Sequence, residues 1–301
     1  MEFVRPNAEI WEQGTTLEDI WKHIARCTRV CYQSTPRNNG ETDEDFVKRV
    51  ILRHKPWSSE ANHLAMLEHG TIYLNCPNIT YCNRLGDKYT QHVYDEENHQ
   101  FCITTNLRVL IETDNLDLLS KAVLPTIHKR RVTVSFTTNI GVSREFNRHR
   151  VNSIAEESTR YCNYHLDKFN NSITFTLPSW IDINETEIQA CRTAEVESDM
   201  YADMRVNMEL SDNWNTIDWY LYALSTSALA YKKLIQLGWK PQQAREVLPL
   251  ATKTQLIHTA FVDDWKHFFA LRADGVSGPP HPNAALVAKP LKEEFIKRGY
   301  I

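Results

Sequence analysis

The chain has 301 residues, 42% hydrophobic, 24% charged and 10% aromatic, which excludes a disordered chain, a collagen-like fibre and a coiled coil. Thirty-four Lys and Arg against 38 Asp and Glu leave a net charge of -4, and the longest basic run is Lys129-Arg130-Arg131; this balance argues against a protein that lives on nucleic-acid phosphates. No stretch approaches the roughly 18 apolar residues of a membrane helix, and no secretory pattern is visible at the start, so a cytoplasmic chain is expected.

Seven cysteines form no Cys-x-x-Cys pair, so reduced thiols are expected rather than a disulfide framework or zinc ribbon. In chain order, Leu17, Ile20, Ile24 and Cys27 recur every three or four positions and predict an amphipathic helix over 17–29. Asn38-Asn39-Gly40 reads as a turn, and Asp43 opens a helical segment through Leu52. Thr71 to Leu74 reads as a strand. Residues 75–131 read as the least regular part, with an apolar stretch at 107–111 and a helical patch at 116–122.

Val132 to Thr137 alternates as a half-buried strand does. Leu221, Leu224, Ala228, Tyr231 and Ile235 predict a long helix, with Gly238 as its left-handed cap. Pro241 opens a short helix that Pro249 ends. Thr254 to Ala260 reads as a strand, followed by a helix to Arg272 capped by Asp263 or Asp264. Strands and helices alternate without a βαβ rhythm, so the expected class is α+β, a mixed or antiparallel sheet packed with long helices.

Chemistry concentrates in Arg144 to Tyr161. Arg144, Arg148, Arg150 and Arg160 share this segment with His149, Glu145, Glu156, Glu157, Ser153 and Ser158. Guanidinium groups are planar forks that match phosphates and carbonyl edges, and they repel one another unless anions lie between them. A salt-bridged, solvated face is the plain alternative. Ser158 lacks the Gly-x-Ser-x-Gly elbow of a serine nucleophile, so its hydroxyl reads as a hydrogen-bond donor to a ligand. The twelve histidines show no metal-ligand spacing, which leaves a metal-dependent hydrolase without support.

Arg148-His149-Arg150, seven residues and Ser158, extended by Ser153, Glu156, Arg160 and Tyr161, resembles the signature of the flavin-dependent thymidylate synthases (the ThyX family). Arg29 to Tyr32, the His63 to His69 segment, Arg245 to Pro249 and Leu271-Arg272 resemble further family segments in the same order. The resemblance covers about 17–74 and 132–301, which makes 1–301 a single domain with a ThyX-like fold and an insertion at 75–131. Three departures stand out. Ala155 replaces a common asparagine, Phe261-Val262-Asp263 replaces Asn-x-Arg, and a later asparagine position is His267.

The resemblance implies reductive methylation of dUMP to dTMP. In that reaction 5,10-methylenetetrahydrofolate supplies the carbon, FAD carries the hydride and NADPH is the reductant. It implies that Arg272 is the most nearly catalytic group, held against the uracil. His63, Glu68, Arg148, His149, Arg150, Glu156 and His267 are the implied cofactor contacts. Arg144, Glu145, Glu156, Glu157, Ser158, Thr159, Arg160, Arg245 and Arg272 are the implied substrate contacts. It further implies a homotetramer with shared active sites, whose partners are small molecules and neither a membrane nor a nucleic-acid polymer. A non-catalytic family relative or a nucleotide-binding protein with an altered flavin site is the alternative, and His281 is a loose candidate for a further site histidine.

Overall fold

The computed structural model describes residues 1–35, 40–52, 64–86, 88–181 and 214–301. Its strands are β1 (Glu2–Val4), β2 (Asn7–Trp11), β3 (Thr71–Cys76), β4 (Gln91–Asp95), β5 (Gln100–Asn106), β6 (Arg131–Asn139), β7 (Ser153–Glu156), β8 (Thr174–Thr176) and β9 (Lys253–Phe261). Its α-helices are α1 (Leu17–Tyr32), α2 (Asp43–Val47), α3 (Ile79–Arg84), α4 (Leu107–Glu112), α5 (Ile140–Phe146), α6 (Thr216–Gln236), α7 (Pro241–Ala244), α8 (Val262–Phe269) and α9 (Pro282–Lys297). The class is α+β, as the sequence predicts. The chain forms two compact units, one of Met1–Asn7, Thr137–Glu145 and Ser158–Thr254, the other of Ala8–Phe136, Phe146–Glu157 and Gln255–Ile301.

In the first unit β1 pairs in parallel with β8, which sets Phe3 opposite Phe175. Helix α6 starts at Asn215, whose side chain accepts from the Ile217 and Asp218 amides while Asp218 returns a bond to the Asn215 amide. That reciprocal pair satisfies amides a helix start otherwise leaves open. Leu224, Ala228 and Tyr231 fall on one face and bury against Phe3, Tyr164 and Phe175. The helix ends as expected, with Gly238 at φ +97°, a conformation that costs a side-chain-bearing residue energy.

In the second unit Thr16 and Asp19 form the capping box of α1, and Ile20, Ile24 and Cys27 turn inward. Ile20 and Ile24 pack with Leu67, Ile72, Ile103 and Leu107. Residues 75–131 depart from the sequence reading. They hold two strands of an antiparallel sheet ordered β3-β5-β4, with Thr71 opposite Asn106 and Gln91 opposite Thr104. The strand was hidden because its buried end is polar. Thr104 Oγ1 donates to the Lys129 carbonyl at 2.6 Å, Thr105 and Thr90 hydroxyls meet at 2.9 Å, and Asn106 Oδ1 caps the Val109 amide at 3.0 Å. Burial costs such groups little once they are paired, yet they leave no apolar alternation to read.

The other sheet is ordered β2-β6-β9-β7, and β7 lies antiparallel to β9, with Ser153 opposite Thr259 and Ala155 opposite Ile257. Helix α8 follows β9 directly. Phe261 is its N-cap and offers no side-chain bond, which corrects the expectation that Asp263 or Asp264 caps it. Both aspartates lie inside the first turn, where a carboxylate favours the helix dipole instead. The α-helix also stops at Phe269, short of Arg272; a π-helical turn over Ala270–Asp274 carries the chain to Gly275 at φ +72°. Phe136, Phe146, Trp265, Phe268, Phe269 and Phe295 are all buried. They make an aromatic core worth roughly 1.5–3 kcal/mol per ring, and Trp265 Nε1 donates to the Val132 carbonyl at 3.0 Å.

Candidate functional site

The arginine-rich segment is not one continuous loop. It leaves α5, turns at 147–152 and becomes strand β7. Arg144 and Glu145 lie on α5 in the first unit, residues 148–157 lie in the second, and Ser158, Thr159 and Arg160 return to the first. Arg144, Arg148, Arg150, Arg160, His267 and Arg245 are exposed, Glu145, Glu156, Ser158, Thr159 and Arg272 are half-buried, and Glu68, His149 and Glu157 are buried.

Within the second unit the turn buries His149 while leaving the arginines on either side of it in solvent. The His149 ring packs on Phe268 with centroids 4.9 Å apart and meets His267 edge-on at 5.7 Å. Arg272, presented by the π-helical turn, donates from Nε to His149 Nε2 at 3.3 Å. Burial first, then the electrostatic influence of Arg272 and of the neighbouring His267, pushes the His149 pKa down to about 4. His149 is therefore a neutral acceptor at physiological pH, and it orients a guanidinium that remains charged.

Two further buried polar sets fix the surroundings. Arg131, at the start of β6, is 7% exposed and donates from Nη1 to the Glu68 carbonyl at 2.9 Å and to Thr71 Oγ1 at 3.3 Å. Its Nη2 donates to Ser153 Oγ at 2.9 Å. One buried cation thus ties the Glu68 turn to the first residue of β7. Burial, the larger influence, draws its pKa down to about 10, against the pull of Glu68. Sequence reading missed Arg131 because it sits in a basic run that looks like a solvated surface; its place at the head of an alternating strand is the one signal.

The second set is a hydroxyl relay. His23 Nε2 meets Thr133 Oγ1 at 3.0 Å, Thr133 and Thr259 hydroxyls meet at 2.7 Å, and Thr259 Oγ1 meets His69 Nδ1 at 2.8 Å. The other nitrogen of His23 bonds the Glu12 backbone, a contact that favours its proton there. Each hydroxyl has one proton to give, so the protons run from His69 through Thr259 and Thr133 to His23. His69 keeps its hydrogen on Nδ1, and Nε2 remains a buried lone pair without a partner among the described residues.

Glu68, read as a cofactor contact, pairs with Arg108 at 2.5 Å, and Arg108 also holds Glu112 at 2.9 Å. Glu156 Oε2 accepts from Asn147 Nδ2 at 3.0 Å, so a carboxamide reaches this carboxylate even though Ala155 has none. Ala155 itself is buried beside Trp11, Cys27, Val30 and Ile257, where an amide would need partners. Asp263, in place of the family's arginine, holds Lys266 at 2.9 Å and Lys129 at 3.4 Å. His63 lies outside the described residues. His281 caps α9, its Nδ1 accepting from the Asn283 amide at 3.2 Å.

Within the first unit, Ser158 begins a tight turn: its carbonyl accepts from the Tyr161 and Cys162 amides at 3.1 and 2.9 Å. Arg245, in the 3₁₀ turn Arg245–Val247, donates from Nη1 to Thr159 Oγ1 at 3.4 Å. Arg160 Nε donates to Gln242 Oε1 at 3.2 Å, and its guanidinium lies 5.2 Å from the Tyr161 ring centroid. Arg245, far in sequence from Ser158, Thr159 and Arg160, thus falls in the same unit as they do and touches Thr159. No group of three or more His, Cys, Asp or Glu positioned to hold a metal occurs among the described residues. No helix among them is long and apolar enough to cross a membrane.

With this geometry in place, the comparisons with known proteins are specific. The chain belongs to the family of the thymidylate synthase complementing protein, whose model matches residues 99–297, including 99–131 of the segment expected as an insertion. It is 32% identical over 139 residues to a flavin-dependent thymidylate synthase of Thermosipho melanesiensis, covering 46% of this chain and 52% of that one. It is 29% identical over 125 residues to another from Pyrococcus furiosus, covering 42% and 38%. The matches span about half the length of the first relative and less of the second. Among solved structures, a UMP/dUMP methylase PolB from Streptomyces cacaoi aligns over 99% of this chain and 92% of its own at 14% identity, with a TM-score of 0.43.

Proposed function

We propose that this chain methylates dUMP to dTMP, as a cytoplasmic homotetramer, with 5,10-methylenetetrahydrofolate as carbon donor, FAD as hydride carrier and NADPH as reductant. The observation that carries this reading is the Arg272–His149 couple, a permanent cation held by a neutral buried imidazole inside the family signature. The donor set suits FAD: Arg148 and Arg150 present exposed guanidinium forks on either side of His149, matched to diphosphate oxygens and to the carbonyl edge of a flavin ring. When bound, FAD supplies the hydride chemistry.

The residues of the chain place and polarise. Arg272 faces the uracil and balances negative charge that develops on it as its fifth carbon becomes nucleophilic. His149 takes no proton; it accepts from Arg272 Nε and fixes the direction of the guanidinium. Arg160, Arg245, Ser158 and Thr159 hold the nucleotide phosphate and base, with Arg144, Glu145 and Glu157 lining it. Glu156, steadied by Asn147, would bridge nucleotide and cofactor, and Glu68 and His267 would help to hold the flavin. No protein nucleophile is required. Burial raises the thiols of Cys31 and Cys76 to about 11 and lifts Cys82 and Cys102 as well, so these side chains are poor thiolates.

The test is the visible spectrum of the purified chain mixed with FAD, before and after NADPH and dUMP. The reading expects a bound-flavin spectrum that bleaches with NADPH and shifts with dUMP. A chain that stays colourless after FAD is added and removed would support the non-catalytic alternative.

A further inference from the structure

A cavity of about 280 Å³ lies in the second unit where the Lys129-Arg130 run meets the start of α8; Lys129, Arg130, Asp263, Lys266, Gln91 and Tyr300 are among its walls. The backbone is pinned there, because the Val262 amide donates to the Arg130 carbonyl at 3.0 Å. One carboxylate serves two ammonium groups: Asp263 Oδ1 accepts from Lys266 at 2.9 Å and Oδ2 from Lys129 at 3.4 Å. Lys266, then burial in the opposite sense, then Lys129 govern the Asp263 carboxyl, whose pKa falls below the usual range. It therefore stays ionised and counts as one negative charge. Three cations against that one leave two positive charges in a concavity of a chain whose overall charge is -4.

Those charges are not spent on one another. Each ammonium has three donors and uses one on Asp263, and the guanidinium of Arg130 makes no hydrogen bond or ion pair among the described residues. Tyr300 is already committed, its hydroxyl donating to Glu12 at 3.1 Å. Unneutralised cations lining one hollow attract anions and raise their local concentration. Multi-oxygen anions gain most, since they accept from several donors at once. The volume falls just below the roughly 300–1,000 Å³ of pockets that enclose whole drug-sized ligands, so the hollow suits one anionic group rather than an entire nucleotide. We propose that this cavity binds a phosphate or diphosphate group, gripped by Lys129, Arg130 and Lys266, with Asp263 offsetting one of their three charges.

The group has two sources, free phosphate or diphosphate, or the diphosphate of a dinucleotide; the second rests on the FAD reading above. Titration calorimetry of the full chain with inorganic pyrophosphate tests the site itself. The double variant K129A/K266A should weaken pyrophosphate binding by about tenfold or more, as the loss of charge-assisted bonds implies, and D263N should tighten it. All three side chains are half exposed or nearly so, so unchanged circular dichroism is expected to accompany both effects. Equal affinities in wild type and K129A/K266A, or no pyrophosphate binding to wild type, would overturn the proposal. FAD and riboflavin affinities distinguish the sources. If the cofactor fills the site, K129A/K266A weakens FAD and spares riboflavin; if free anion fills it, neither flavin responds while pyrophosphate still does. Failure of the wild type to bind FAD would refute the FAD reading and leave the pyrophosphate result standing.

Discussion

Lowering the pH from 7 to 5 should destabilise this protein through its buried histidines, and His23 and His258 isolate the effect. His23 is 4% exposed and His258 is fully buried. Burial, with Arg26 and Arg131 next for His23 and His149 next for His258, depresses their pKa values to about 4 and about 3. His23 Nε2 is the end of the Thr133 relay, and His258 Nδ1 meets the Asn152 amide nitrogen at 2.9 Å, so protonation would place a hydrogen against a donor in each case. In the unfolded chain both titrate near 6.5. Below that pH the unfolded state binds more protons than the folded state, so stability falls as pH falls from about 6.5 towards the folded values. Between pH 7 and 5 each histidine removes about 2 kcal/mol, and the pair about 4 kcal/mol, a large share of a stability of roughly 5–15 kcal/mol. Urea unfolding at both pH values measures this. His23→Gln and His258→Gln should each reduce the pH-dependent loss by about 2 kcal/mol, whatever the carboxylates contribute. Variants with the pH sensitivity of the wild type would refute the assignment of neutral, buried histidines.

Arg272→Ala should lower the rate of dTMP formation by about 10²–10³-fold, the usual consequence of removing one preorganised charge at a reacting centre, while FAD titration shows an unchanged affinity. Arg131→Met should destabilise by about 2 kcal/mol or more in urea unfolding, because the Glu68 carbonyl and Ser153 hydroxyl lose a buried donor; a smaller effect would mean that the relief of a buried charge offsets them. Sedimentation velocity on the purified chain should give a tetramer, and a catalytically competent monomer would contradict the shared-site reading.

Much of this was legible in the residues themselves. The 3.6-residue periodicity of Ile20, Ile24 and Cys27, the alternation of Val132 to Thr137, and Gly238 after a long apolar helix all predict what is found, because each reflects burial or a backbone requirement acting locally. Strand β5 was not legible, since Thr104, Thr105 and Asn106 are buried by virtue of partners distant in sequence. Asp263 misled for a related reason: an aspartate near a helix start reads as a cap, and only the approach of Lys129 reveals its other role. At the site, the spacing of Arg148, His149, Arg150 and Ser158 carried the family, yet the burial of His149 and its bond to Arg272 depend on a π-helical turn that no periodicity announces. Asn147, which holds Glu156, carries no signal beyond its place in the motif segment, and Arg131, which holds Ser153, only its place at the head of an alternating strand.

The most direct measurement is mass spectrometry of the nucleotide formed when the purified chain is incubated with dUMP, FAD, NADPH and isotopically labelled 5,10-methylenetetrahydrofolate. The expected product is dTMP carrying the labelled carbon, formed only when FAD and NADPH are both present. Unaltered dUMP from a chain that demonstrably holds reduced flavin would contradict it.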